Sequence, residues 1–283
     1  MEHNSFGSVK GLLDKYNIKL SKATGQNFLI DANIPDKIVR LSGIDSSCGV
    51  LEVGPGAGAL TAVLCRTAGK VTAVELDTRL IPLLRDILKE HKNFELVHGD
   101  ILKLDIKQIV EEKMPGLKHH VCANLPYNIT TPVLAAFIEA GIFGSITVMV
   151  QREVARRICA RQGTPEYSAF TVYSNYHTEP EILFDVPPEC FMPRPKVYSS
   201  VLRMKTRDER ALSREKEQIF FRVVRAAFSQ RRKTLVNSLH AVFYDIFNKD
   251  ELSGIVTKCG FDARVRGEAL DIGDFIKIAS FFG

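Results

Sequence analysis

The chain has 283 residues, 45% hydrophobic and 25% charged, with a formal net charge of +5. These proportions exclude a disordered or collagen-like chain and leave room for an α/β domain with a smaller appendage. Six cysteines stand singly with no C-x-x-C pair, so zinc spacing is absent, no metal is expected, and the thiols read as those of a reduced, cytoplasmic protein.

Met1 to Ser5 carries no basic stretch leading into an apolar run, so secretion is not expected. No segment approaches the roughly 20 apolar residues that cross a bilayer, so no membrane association is expected. In chain order, residues 7–20 fit a short amphipathic helix. A polar turn follows over 22–27, then Phe28-Leu29-Ile30, then a second helix from Asn33 to about Ser42 with Pro35 in its first turn. From Gly49 onward, short apolar runs at 50–53, 70–76, 94–97, 119–123 and 146–150 alternate with helical patterns at 60–68, 80–90 and 131–140. That alternation predicts βαβ units around a largely parallel sheet. Residues 181–184 and 199–205 lack a long helix between them and fit strands pairing antiparallel at a sheet edge.

The texture then changes. Asp208 to Arg214 reads as a charged linker, and beyond it Ile219, Phe220, Val223, Val224, Ala227, Leu235 and Leu239 recur at helical spacing. Further helical segments are expected near 249–258 and 273–282. The predicted organisation is one α/β domain over 1–208 and a small all-helical domain over 209–283.

Two motifs carry chemistry. Glu52-Val53-Gly54-Pro55-Gly56-Ala57-Gly58 follows the first strand of the α/β region and opens a helix. Its G-x-G-x-G spacing differs from the G-x-G-x-x-G of dinucleotide binders, which favours a nucleoside without a pyrophosphate. Acidic Glu52 also suits a ligand with positive charge better than a phosphate. Glu75 ends the next strand, about 20 residues past the first glycine, where a carboxylate can accept both ribose hydroxyls. Asp100 ends the third, where it can accept from an adenine amine.

Asn124-Leu125-Pro126-Tyr127 follows the fourth strand, at the edge where open α/β sheets bind ligands. The N6 amine of adenine is a poor nucleophile because its lone pair is delocalised into the ring. The Asn124 side-chain carbonyl and the Leu125 backbone carbonyl can each accept one of its hydrogens, directing the lone pair at a methyl sulfonium. Pro126 stiffens the turn and Tyr127 offers a stacking face.

With these, Gly25-Gln26-Asn27-Phe28-Leu29, Phe191-x-Pro193-x-Pro195-Lys196-Val197-x-Ser199 and the segment from Ala227 to Thr234 occur in order. Together the five motifs, spread over residues 20 to 240, resemble the small-subunit ribosomal RNA adenine dimethyltransferases. The resemblance implies a Rossmann-like class I methyltransferase sheet with a small C-terminal all-helical domain, and S-adenosylmethionine as methyl donor. It implies cofactor contacts from Gln26, Asn27, Leu29, Gly54, Gly56, Glu75, Asp100 and Asn124, and a target base sandwiched between Tyr127 and Phe191. The implied reaction converts two adjacent adenines near the 3′ end of small-subunit rRNA to N6,N6-dimethyladenine, on an immature small subunit.

Between Arg194 and Lys233, thirteen basic residues face four acidic ones. That surplus suggests an RNA-facing surface near the domain junction, with Arg194, Lys196, Arg225, Arg231, Arg232 and Lys233 as candidate contacts. No coiled coil or exposed apolar stripe is evident, so a monomer is expected. Two other readings share parts of this pattern: a large-subunit rRNA adenine methyltransferase of the antibiotic-resistance type, and a mainly non-catalytic ribosome assembly factor. N-L-P-Y together with the Phe228-to-Thr234 segment argues against the first. N-L-P-Y together with the Glu75/Asp100 pair argues against the second.

Overall fold

The computed structural model describes residues 6–18, 26–230 and 232–283. It begins with α1 (Phe6–Lys15), the two-residue strand β1 (Phe28–Leu29) and α2 (Asn33–Ser42). The α/β region then alternates β2 (Cys48–Val53), α3 (Ala59–Thr67), β3 (Lys70–Glu75), α4 (Ile81–Ile87), β4 (Phe94–His98), α5 (Ile106–Lys113), β5 (Lys118–Asn124), α6 (Thr130–Ala140) and β6 (Ser145–Gln151). After α7 (Arg152–Ile158) and α8 (Ala169–His177) come β7 (Thr178–Val186), β8 (Phe191–Met192) and β9 (Ser199–Thr206). Four helices finish the chain: α9 (Arg214–Phe228), α10 (Leu235–Phe243), α11 (Lys249–Lys258) and α12 (Ile272–Ala279).

Seven strands form one sheet in the order β4-β3-β2-β5-β6-β9-β7. Strands β2 to β6 pair in parallel, and β9 runs antiparallel to β6 with Gln151 opposite Ser199. Every residue of β2 is buried, as a central strand covered on both faces requires. The chain moves outward from β2 through β3 to β4, then returns to β5 on the other side of β2. This reversal opens a crevice between the carboxyl ends of β2 and β5, the position where open α/β sheets bind ligands. Separately, β1 pairs antiparallel with β8, Leu29 opposite Phe191. No helix among the described residues is long and apolar enough to cross a membrane.

The chain divides into two compact units, Met1–Ala155 with Pro180–Thr206, and Arg156–Glu179 with Arg207–Gly283. The second is therefore not a simple C-terminal block beginning at 209. Its extra segment joins because Tyr167, Val172 and Tyr176 bury with Phe220, Val223 and Val224 of α9 in one apolar cluster. The Tyr176 and Phe220 rings lie 5.0 Å apart. Helices α5, α7 and α8 were not anticipated by apolar periodicity. Two carry caps instead: Asp105 accepts from the Gln108 amide ahead of α5, and Ser168 with Thr171 forms a reciprocal capping box at α8.

Candidate active site

At the carboxyl end of β2 the backbone turns through Gly54 (φ +66°) and Gly56 (φ +58°), a left-handed conformation that glycine adopts without a Cβ penalty. A Cβ on Gly54 would stand 3.8 Å from Pro126, and one on Gly56 would stand 3.2 Å from the Phe28 ring. The loop is thus close to the N-L-P-Y turn on one side and to the strap at residues 26–29 on the other.

Asn124 is the last residue of β5. Its Nδ2 donates to the backbone carbonyl of Asn27 at 3.1 Å. Because that partner can only accept, the amide orientation is set, and the side-chain oxygen is left as an acceptor for a ligand. The turn after it is held at several points. The Leu125 amide donates to the Met149 carbonyl at 3.1 Å, and the Pro126 carbonyl accepts from the Ile129 amide at 3.2 Å and the Thr130 hydroxyl at 3.1 Å. The Tyr127 hydroxyl and Ser199 Oγ lie 2.7 Å apart, which ties the tyrosine to the first residue of β9. Burial raises the Tyr127 phenol above its ordinary value, so it remains protonated.

These elements surround a cavity of about 510 Å³, within the range of small-molecule sites. Gln26, Asn27, Leu29, Gly54, Gly56, Glu75, Asp100 and Asn124 all line it, as do Leu125, Pro126 and Tyr127. Glu75 is 4% exposed, and its Oε1 accepts from the Asp77 amide at 2.8 Å. Burial pushes its carboxyl above the ordinary range, opposed by the amides of Asp77, Gly56 and Leu76. Asp100 accepts from the Leu102 amide at 3.1 Å. Gln26 Nε2 donates to Asp77 Oδ2 at 3.1 Å and tethers the strap to the end of β3.

Glu52 lies deeper in the same wall. Its carboxyl is 1% exposed and Oε2 has no hydrogen-bond partner among the described residues. Burial pushes Glu52 to about 8; the Thr61 hydroxyl beside it opposes that shift, and the Glu75 charge adds to it. Four carboxyls line the cavity, Glu52, Glu75, Asp77 and Asp100, against the single guanidinium of Arg79, which is itself engaged by Asp77 at 2.6 Å. Glu52 is held protonated near neutral pH, yet the lining offers no cation beyond the engaged Arg79, so it suits a nucleoside carrying sulfonium and ammonium charges better than a phosphate.

The sequence pattern of ribosomal RNA adenine dimethylases matches residues 17–281. The chain belongs to that family. It is 44% identical over 273 residues to ribosomal RNA small subunit methyltransferase A of Clostridioides difficile, covering 96% of this chain and 94% of that one. The protein of the same description from Geobacillus thermodenitrificans is 41% identical over 277 residues, covering 97% and 94%. Among solved structures, a dimethyladenosine transferase from Plasmodium falciparum superposes with a TM-score of 0.76 at 26% identity, covering 90% of this chain and 97% of that one. The 23S rRNA methyltransferase ErmE gives 0.71 at 26% identity, covering 90% and 98%. As an rRNA adenine dimethylase with a class I methyltransferase fold, this chain uses S-adenosylmethionine to methylate adenine.

Not every expected residue of the dimethylase reaches the cavity. Phe191 is 2% exposed and packs in the core with Leu29, Ile38 and Val201, and is not itself one of the residues lining the cavity. Pairing of β8 with β1 sets the buried Phe191 opposite Leu29, which itself lines the cavity. Gly25 and Arg231 lie outside the described residues. Lys196, Arg225, Arg232 and Lys233 are exposed, as is Arg194, which pairs with Glu189 at 3.3 Å. The basic surplus is also smaller than its count, since Arg203 pairs with Glu181 and Arg207 with Glu179, both outside that segment, while Arg210 pairs with Glu217 within it. Sequence reasoning assigned no role to Ser199 or Asp77. Nothing local marks them, since their partners, Tyr127 and Gln26, lie 72 and 51 residues away.

Proposed function

We propose that this dimethylase converts two adjacent adenines near the 3′ end of small-subunit rRNA to N6,N6-dimethyladenine, acting as a cytoplasmic monomer on an immature small subunit. The observation that carries the chemistry is the Asn124 amide, whose nitrogen is occupied by the Asn27 carbonyl at 3.1 Å, leaving its oxygen for the substrate amine. The small-subunit description of relatives above 40% identity supports the choice of subunit over the large-subunit alternative.

S-adenosylmethionine supplies an electrophilic methyl group on a sulfonium. Glu75 accepts hydrogen bonds from the ribose hydroxyls, Asp100 accepts from the cofactor's adenine amine, and Gln26, Asn27 and Leu29 form the strap over it. Gly54 and Gly56 allow the backbone to come close. Asn124 Oδ1 and the Leu125 carbonyl hold the target amine by its hydrogens, so that the nitrogen moves toward tetrahedral geometry and its lone pair, freed from conjugation with the ring, points across the crevice. Tyr127 stacks on the base. Preorganised dipoles and positioning then carry the rate without a strong general base, because the amine becomes acidic only as it is alkylated. A second transfer requires the same carbonyls to hold an amine with one hydrogen left. The helical unit, with Arg225, Arg231, Arg232 and Lys233, and the loop carrying Arg194 and Lys196 supply phosphate contacts.

The test incubates the enzyme and labelled cofactor with small and with large subunits from cells lacking it, and maps the product by primer extension. Dimethyladenine near the 3′ end is expected, with Asn124→Ala slowing turnover by about a hundredfold or more. Label appearing only in large subunits, or an Asn124→Ala enzyme of near-normal rate, overturns the proposal.

A further inference from the structure

Enzymes that act on a nucleobase take it out of its stack, which uncovers the base beside it. A protein that covers this neighbour needs an aromatic face near the mouth of the pocket. Among the described residues of the first unit, Tyr198 is the only exposed large aromatic side chain, at 41%.

Its position follows from the sheet. Strand β9 runs antiparallel to β6 and pairs Ser199 with Gln151, so β9 begins where β6 ends. The residues just outside that pair, Tyr198 and Arg152, therefore stand at the carboxyl edge of the sheet, the same rim that carries Asn124 to Tyr127. Tyr198 directly precedes Ser199, whose hydroxyl lies 2.7 Å from that of Tyr127. Tyr198 is thus one residue along the chain from the serine that holds Tyr127.

The Tyr198 ring is held in place. The Arg152 amide donates to the Tyr198 carbonyl at 3.0 Å, and the Arg152 guanidinium lies 4.5 Å from the ring centroid. Behind it, Asp185 sits 3.8 Å from Arg152 Nη1 and accepts from Ser200 Oγ at 2.5 Å. A ring fixed before binding loses little freedom on stacking, and a guanidinium beside it can meet a phosphate. Neither residue has a part in the cavity lining.

We infer that Tyr198, backed by Arg152, is a stacking site for the RNA base that flanks the target adenine. The inference rests on the proposed methylation of rRNA and adds a second base contact outside the reaction pocket.

The experiment measures methylation of unmodified small subunits by wild type, Tyr198→Ala and Tyr198→Phe, together with cofactor Kd by calorimetry. Removing a base-stacking ring should raise KM for subunits about tenfold, with the loss falling on KM rather than kcat. Tyr198→Phe, which keeps the face, should recover most of that loss, and cofactor Kd should stay level across the three. An unchanged KM in Tyr198→Ala would make the ring a cap on the sheet edge and overturn the inference. So would equal damage in both variants, or a loss that tracks weakened cofactor binding. Failure of the underlying function is seen separately, as wild-type enzyme that leaves small subunits unmodified.

Discussion

Two side chains tie the reaction pocket to the rest of the first unit, and each works through burial. Ser199 holds the Tyr127 hydroxyl at 2.7 Å, so rotation of the Tyr127 ring beside the cavity is already restricted. Glu52 sits beneath the glycine loop with one oxygen unpartnered and a carboxyl pushed by burial to about 8 from an ordinary 4.5. A folded-state value above the unfolded one means the folded chain retains a proton that the unfolded chain releases. The stability tied to that proton is complete below about pH 4.5 and is lost as pH rises through about 8. Glu52→Gln carries no such charge. In the absence of cofactor, its stability advantage over wild type should widen between pH 6 and pH 9 by on the order of 2 kcal/mol, read by urea or thermal unfolding. A constant difference across that range would show that Glu52 ionises normally in the fold.

At the scale of elements, the pocket is assembled from chain segments that end together. The carboxyl ends of β2, β3 and β5 deliver the glycine loop, Glu75 and Asn124, while the strap at 26–29 is brought over them by β1 pairing with β8. Gly56 is where loop and strap meet. Alanine there would keep an unfavourable left-handed φ of +58° and place its methyl 3.2 Å from the Phe28 ring. Gly56→Ala should destabilise the protein by about 1 to 2 kcal/mol from the backbone alone. Displacement of Phe28 should weaken cofactor binding further, by about tenfold or more in titration calorimetry, since strap and loop both line its site. Wild-type affinity in this variant would mean that the strap does not shape the cofactor site.

For the whole molecule, two units have separate apolar cores: the first carries the cofactor crevice, and the second carries Arg225, Arg232 and Lys233 on exposed positions. If those three meet phosphates, each substitution by alanine should lower the slope of log affinity against log salt by about one, with little change in cofactor Kd. A salt slope equal to wild type in the triple variant would place the RNA elsewhere. The arginines already engaged by glutamates, Arg203, Arg207 and Arg210, should contribute far less, because their charge is largely answered within the protein.

Local chemistry made much of this protein legible. Alternation of apolar runs with helical spacing located the parallel strands to within a residue or two, since central strands such as β2 are buried throughout and largely apolar. Glycine at positive φ, carboxylates at strand ends and the N-L-P-Y turn were readable because each is a backbone demand or a functional group at a fixed offset. What spacing along the chain could not convey was set by contacts between distant segments. The Asn27 carbonyl orients Asn124 across 97 residues, and Ser199 reaches Tyr127 across 72. Pairing of β8 with β1 buries Phe191 in the core, and α8 joins the helical unit because Tyr176 meets Phe220 there. Sequence determines which groups are present and how each segment coils. Only tertiary packing determines which apolar faces close on one another, and therefore which side chains are left facing the crevice.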